Sequence, residues 1–348
     1  MSTATQPHTP GPAQTPGQTP GQTAAPRRRR VNLTVIAPLV ALLVLIGIGM
    51  ALNPNFLSYA NITNVLARSA FIGIIAIGMT FVITAGGLDL SVGSMAAFVA
   101  GLMILVMNLL TDSMGPGLPV IALGIAVALL AGLAAGFING ILITRAGIEA
   151  FILTLGTMGI YRSLVTWLAD GGTLSLGYEM REMYRPVYYG GILGIAWPII
   201  VFALLAILGE IAMRHTAFGR HCAAIGSNEK VARYSSVAVL RVRLATYVLL
   251  GVLVGIAVVM YVPRLGSASA TTGLLWELEA IAAVIIGGTL LKGGFGRVWG
   301  TVVGVLILSL IGNLLNLTDF VSPYLNGAIQ GVVIILAVVL QRNTGAAR

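Results

Sequence analysis

"TAGGLDLSVGS", residues 84–94, decides how this chain is read. It separates two apolar runs, 66–85 and 91–110, each long enough to cross a bilayer, yet it holds Gly86, Gly87, Gly93, Ser91, Ser94 and Asp89. A carboxylate at the bilayer centre costs roughly 2.5–3.5 kcal/mol on insertion scales. Asp89 therefore belongs at a membrane edge, in a water-filled cavity, or against backbone N–H groups at a helix start. Gly86 and Gly87 end one helix, and Asp89 or Ser91 caps the next. Two readings stay open. In one the stretch is a tight hairpin closed by that cap. In the other the helix break exposes backbone polar groups and a carboxylate to a solute pathway, where Asp89, Ser91 and Ser94 offer the donors and acceptors that hydroxyl groups need.

Composition points outward from the same stretch. Of 348 residues 57% are hydrophobic and 9% charged, against about 45–50% and about 25% in soluble domains. The chain reads as an all-α integral membrane protein. Cys222 stands alone, and His8, His215 and His221 lack metal-ligand spacing, so neither a disulfide framework nor a metal site is expected. The net charge of +9 does not argue for nucleic acid, because the basic residues flank apolar spans, where orientation signals sit. Residues 1–30 form a Pro/Thr/Gln/Gly-rich tail with little to bury, expected to be disordered and ending in Arg27 to Arg30. The run 33–52 is too long for a signal-peptide core and reads as a retained anchor.

A crossing needs about 20 residues. The chain offers about ten: 33–53, 66–85, 91–110, 118–144, 149–169, 190–212, 244–263, 280–291, 298–316 and 323–341. The eighth is short and contains Gly287 and Gly288, so a broken or re-entrant helix is expected there. Alternating from a cytoplasmic N-terminus puts 15 of the 20 Lys and Arg residues inside and only Arg68, Arg162, Arg181, Arg185 and Arg264 outside. That bias places both termini in the cytoplasm. One transmembrane domain, 31–342, then contains a single long inner loop, 213–243. Asn228 is a plausible N-cap there, Glu229 lies in the first turn, and Val231, Ala232 and Tyr234 form a short apolar face. This basic helix reads either as a solvated face that enforces topology or as a docking helix for a cytosolic partner.

Polar residues inside spans (Thr80, Asn139, Thr154, Thr157, Arg162, Thr166, Thr289, Ser309, Asn313) read mostly as helix–helix glue, and the spacings Gly132 to Gly136 and Gly300 to Gly304 as close packing. Asn139 and Asn313 are the two chosen as pathway residues. Arg162 is expected to snorkel outward, and Glu277 and Glu279, beside Trp276, either meet an outer partner or anchor the interface, with the anchor preferred. "GGTLLKGGFG", 287–296, lacks the GxxxxGK[ST] pattern of a phosphate loop. No constellation of catalytic residues is present, so the chain is expected not to be an enzyme.

Four stretches together carry a resemblance: "GMTFVITAGGLDLSVGSMAAFVAG" (78–101), "AAIGSNEKVARYSSVAV" (223–239), "ELEAIAAVIIGGTLLKGGFGRVWGTVVGVLIL" (277–308) and "GNLLNL" (312–317). The chain resembles, from about residue 51 to 341, the permease subunits of ribose-type ABC sugar importers. The resemblance implies a monosaccharide pathway through membrane lipid, a second permease copy, a cytoplasmic ATPase that holds ATP and Mg, and an extracytoplasmic sugar-binding protein, with no cofactor in this chain. It makes 228–234 a coupling helix, with Gly226, Asn228, Glu229, Arg233 and Tyr234 at the ATPase contact. Ser227 and Ser236 stand where the family commonly has glycine, which is expected to make the loop more helix-compatible. The rival reading is an ion-gradient-driven transporter or channel; it asks for buried carboxylates along several spans, and Asp89 reads as nearly alone.

Overall fold

The computed structural model describes residues 33–318 and the isolated positions 325, 327–329, 331, 332 and 335. The expected tail 1–30 and most of the tenth expected span, 323–341, lie outside the described residues. Seven helices among the described residues are long and apolar enough to cross a membrane. In chain order the elements are α1 (Leu33–Leu52), α2 (Tyr59–Thr84), α3 (Val92–Met114), α4 (Leu118–Thr144), α5 (Ala150–Leu168), β1 (Thr173–Ser175), α6 (Tyr178–Tyr184), α7 (Pro186–Tyr189), β2 (Gly191–Ile192), β3 (Ile195–Ala196), α8 (Trp197–His215), α9 (Ala217–Ser227), α10 (Glu229–Tyr234), α11 (Val239–Leu265), β4 (Ser267–Ser269), α12 (Trp276–Ile286) and α13 (Val298–Thr318).

Local chemistry sets the boundaries. Ser58 Oγ accepts from the Asn61 N–H at the start of α2, Pro119 occupies the first turn of α4, and Gly266, left-handed at φ 68°, closes α11. The β2–β3 hairpin turns through Leu193 and Gly194, both at positive φ (53° and 83°), the twist a two-residue hairpin requires. The sixth apolar run was expected to be helical from residue 190; the hairpin delays α8 to Trp197. The eighth was expected at 280–291; α12 covers Trp276–Ile286, because Gly287 caps it and Gly288 at φ 89° turns the chain away. With 11 residues, α12 is about 16 Å long, half of a ~30 Å hydrocarbon core.

α2, α3 and α11 form the buried centre, while α5 is largely exposed. α4 lies closest to α11, where a Cβ on Gly132 would stand 2.3 Å from the Gly251 carbonyl oxygen. The glycine spacing thus marks helix contact, as it does for Gly300 and Gly304 of α13 against Gly287 and Ala283. The hydroxyl groups read as glue mostly bond their own helix, as Thr154 Oγ1 does to the Ala150 carbonyl and Thr166 Oγ1 to that of Arg162. Thr80 Oγ1, besides bonding the Ala76 carbonyl, lies 2.7 Å from Thr301 Oγ1 across α2 and α13, and Thr289 Oγ1 accepts from the Arg297 N–H.

The loops sort to two ends. At one end, rich in arginine and lysine, the α2–α3 connection meets α9 and the α12–α13 turn through Gly86, Gly226 and Gly293. The α4–α5 turn borders the same cleft as Gly86, Glu229 and Arg243. At the far end β1 pairs antiparallel with β4, Leu174 opposite Ala268. Asn53 Nδ2 donates to the Leu317 carbonyl, and Asn108 Nδ2 to that of Ser175. The outer loop 170–189 is more than a soluble-facing loop. Tyr184 and Tyr188 are buried, and the Tyr184 hydroxyl donates to the Val259 carbonyl at 2.8 Å, while Tyr178 and Tyr189 remain exposed.

Candidate functional site

Asp89 is buried, and each of its oxygens has a partner. Oδ1 accepts from the Ser91 N–H (2.8 Å) and hydroxyl (2.6 Å), and Oδ2 accepts from Asn139 Nδ2 at 3.2 Å. Asn139 Nδ2 also donates to Ser91 Oγ at 2.9 Å, and the Ser94 hydroxyl donates to the Ser91 carbonyl. The cluster ties the start of α3 to α4, beside Tyr247, whose hydroxyl donates to the Leu88 carbonyl at 3.0 Å. No side chain caps α3, so neither Asp89 nor Ser91 provides the expected N-cap. Asp89 instead fixes Ser91, the residue before α3, to Asn139 of α4, and charge-assisted bonds of this kind replace the solvation it lacks. Asp89, Ser91, Ser94 and Asn139 are brought together; Asn313 is elsewhere.

Gly93 is not part of the break. It lies inside α3, where a Cβ would stand 2.2 Å from the Gly273 carbonyl oxygen and 2.4 Å from Glu277 Oε2. It allows the segment before α12 to lie directly on α3. Gly287 likewise packs on Gly300; of the named glycines Gly86 (φ 77°) and Gly288 are the ones at positive φ. Glu277 does not anchor an interface, since it is buried against Gly93 and its Oε2 has no hydrogen-bond partner. Arg162 Nη1 donates to the carbonyls of Ala270 and Thr272, each at 2.6 Å, so its guanidinium is held by the segment after β4.

Towards the far end α2, α11, α12 and α13 enclose a cavity of about 440 Å³, a size typical of small-molecule sites. Its floor is aromatic. Trp276 stacks on Phe71 (6.5 Å, 13°) and meets Tyr261 edge-on (5.1 Å, 88°). Its wall offers Asn64, Arg68, Arg264, Glu279, Ser309, Asn313 and Asn316. Asn313 and Asn61 exchange reciprocal amide bonds at 3.1 and 2.8 Å, which hold the α13 and α2 walls in register. Asn313 was among the expected pathway residues and lines this cavity; Asn64, Arg68 and Asn316, which line it too, were not singled out. Helical spacing was the available signal: Asn64 with Arg68, and Ser309 with Asn313 and Asn316, fall three or four residues apart and so share a face.

The opposite end carries two short helices in place of one. α9 precedes the expected helix, capped by Thr216 Oγ1, and Asn228 Oδ1 caps α10 by accepting from the Val231 N–H at 3.1 Å. Glu229 bonds Arg233 Nη2 at 2.9 Å and Arg243 Nη2 at 2.8 Å, fastening α10 to α11. The expected apolar face is divided, because Ala232 is buried while Val231 and Tyr234 are exposed, Tyr234 at 89%. Ser236 sits at φ 59°, a left-handed position; the serine strains this turn where it was expected to ease it. Gly226 belongs to α9, and a Cβ there would stand 2.0 Å from the Thr84 carbonyl oxygen and 2.4 Å from Gly294 N. It is a joint inside the protein, between α9, the end of α2 and the α12–α13 turn.

A bundle of long apolar helices is the frame of a membrane protein, and the comparisons say which kind. Residues 61–338 match the family described as "Branched-chain amino acid transport system / permease component". The chain belongs to this family of permease components. It is 40% identical over 311 residues to the ribose import permease protein RbsC of Bacillus subtilis (strain 168), covering 89% of this chain and 94% of the relative. It is 36% identical to RbsC of Escherichia coli (strain K12), with 88% and 92% covered. It is 32% identical to the L-arabinose ABC transporter permease protein AraH of Azospirillum brasilense, with 83% and 82% covered. The permease is a multi-pass membrane protein and a transport component. Glu210 completes its frame and was missed as a polar residue inside a span: its Oε2 accepts from the Trp299 N–H at 3.0 Å, and its Oε1 pairs with Arg214 at 2.5 Å. A single carboxylate in an apolar run points to such a partner, but not to which one.

Proposed function

We propose that this permease is the transmembrane subunit of an ABC importer that carries a monosaccharide of the ribose type into the cell. The observation that carries the reading is the far-end cavity, whose aromatic floor suits the apolar face of a sugar ring while its amide, hydroxyl and guanidinium walls suit the hydroxyls. The relatives named for ribose and arabinose support it. The chain crosses the membrane ten times with both termini in the cytoplasm and pairs with a second copy of itself. A cytoplasmic ATPase holds ATP and Mg, and an extracytoplasmic protein delivers the sugar to the cavity. Asp89, Ser91, Ser94 and Asn139 lie deeper on the route, at the α2–α3 break.

The ATPase grips α10 through Tyr234 and Val231, exposed at 89% and 58%. Closure of the ATPase pair on nucleotide moves α9 and α10 together, since Glu229 and the Asn228 cap leave α10 little freedom of its own. Gly226 passes this motion to the end of α2 and to the α12–α13 turn without slack. The test is reconstitution of the chain with its ATPase and binding protein in proteoliposomes. ATP-dependent uptake of ribose or arabinose is expected, and Asn313→Ala is expected to cut it several-fold by unlatching α13 from α2. Uptake driven by an ion gradient with the ATPase omitted would overturn the reading.

A further inference from the structure

Residues 270–277 run from β4 into α12, with Thr272, Gly273 and Glu277 buried and Leu274 and Leu275 exposed, and four features single the segment out. Its carbonyls at Ala270 and Thr272 both receive the Arg162 guanidinium, which reaches across from α5. Leu275, at φ 68°, is left-handed although it is neither glycine nor asparagine. A backbone outlier of this kind costs about 1–3 kcal/mol and persists only where surrounding contacts over-determine it. Glu277, the next carboxylate, is buried with Oε2 unpartnered, and that oxygen and the carbonyl of Gly273, the residue after Thr272, both face Gly93. Thr271, Gly273, Leu274 and Trp276, interleaved with these groups, line the far-end cavity.

We infer that Arg162 is a positioning residue for transport: its guanidinium clamps the cavity floor from behind, with Glu277 as its counter-charge. The chemistry favours a clamp over a general structural bond. A buried carbonyl outside helix or strand needs a donor, and one guanidinium nitrogen supplies two at once. The buried carboxylate of Glu277 would be costly without a cation nearby, and Arg162 is that cation. Removing the guanidinium therefore does two things: it frees two carbonyls, and it strands a negative charge under the floor. The strained Leu275 then relaxes, and Trp276 leaves its stacked position.

The inference rests on the transport reading above, and the experiment separates the two. The whole importer, permease with its ATPase and binding protein, is assayed in proteoliposomes with D-ribose or L-arabinose as solute. The readout is solute moved per ATP hydrolysed by importer purified as the assembled complex, so that unassembled ATPase does not enter the ratio. Arg162→Gln is expected to lower this ratio by at least about fivefold. Arg162→Lys, which keeps a cation able to donate to both carbonyls, is expected to recover part of it. Arg162→Gln combined with Glu277→Gln is expected to exceed Arg162→Gln alone, because the stranded charge is gone. An unchanged ratio in Arg162→Gln overturns the clamp, and strictly additive effects in the double variant overturn the pairing with Glu277. If the unaltered importer moves neither sugar, the transport reading fails first.

Discussion

At the residue scale the departures from expected chemistry are the informative ones. Ser236 follows α10 in the left-handed region at φ 59°, where its N–H donates to the Arg233 carbonyl and that of Val237 to the Ala232 carbonyl. This closing turn favours glycine. The left-handed conformation costs an L-residue about 1–2 kcal/mol, of which the greater unfolded-state freedom of glycine takes back roughly 0.5 kcal/mol. Ser236→Gly is accordingly expected to stabilise the permease by about 1 kcal/mol and raise its thermal unfolding midpoint in detergent. A lower midpoint would show that Ser236 contributes something beyond its backbone. Gly226 presents the reverse case, since no side chain fits between the Thr84 carbonyl and Gly294 N. Its neighbour Ser227 is accommodated, with its Oγ turned towards Gly294.

At the element scale α10 depends on Glu229. Hydrogen bonding from Arg243, joined by that arginine's charge and, to a lesser degree, by Arg233, holds its carboxyl below the usual carboxylate range against the opposing effect of burial. A depressed carboxylate contributes stability above its unfolded pKa, about 4.3, and loses it as pH falls through the lower folded value. The α10–α11 tie is therefore constant between pH 6 and 8 and fails only in acid below about pH 4. Glu229→Gln reproduces the acid state at neutral pH. Amide exchange across 228–237, corrected for its intrinsic pH dependence, is expected to be unchanged from pH 6 to 8 in the native chain and faster in the variant. Equal exchange in the two would mean that the Asn228 cap alone holds the helix. The cap and the charge of this helix were legible in the sequence because they are local. The half-helix α12 was not located correctly: its apolar run is continuous with the Gly287 turn, and the donor for its leading segment, Arg162, lies 110 residues away from Thr272. Glu210 escaped for the same reason, its partner Trp299 lying 89 residues further along.

For the whole molecule, the alternation of apolar spans leads to a consequence that packing alone does not supply. The four turns expected inside meet at the arginine-rich end, the α2–α3 and α12–α13 turns through Gly86, Gly226 and Gly293, and the α4–α5 turn in the cleft beside Arg243. Because a hydropathy pattern repeats along the chain, it is read without knowing any distant partner, and this is why the arrangement of the bundle was legible while the cavity inside it was only partly so. The charge bias sets the expectation that the arginine-rich end faces the cytoplasm. Cys222 makes that orientation measurable. It is fully buried, and burial pushes its thiol up to about 12, so it carries almost no thiolate at neutral pH and should not react with a charged maleimide. New cysteines at Tyr234, 89% exposed, and Leu193, 96% exposed, then report opposite ends. In intact cells Leu193→Cys is expected to label with an impermeant maleimide and Tyr234→Cys only after the membrane is opened. Labelling of both from one side would mean an odd number of crossings between β2 and α10 other than the single passage of α8, and labelling in the reverse order would turn the whole bundle over, carrying the proposed ATPase contact to the wrong face.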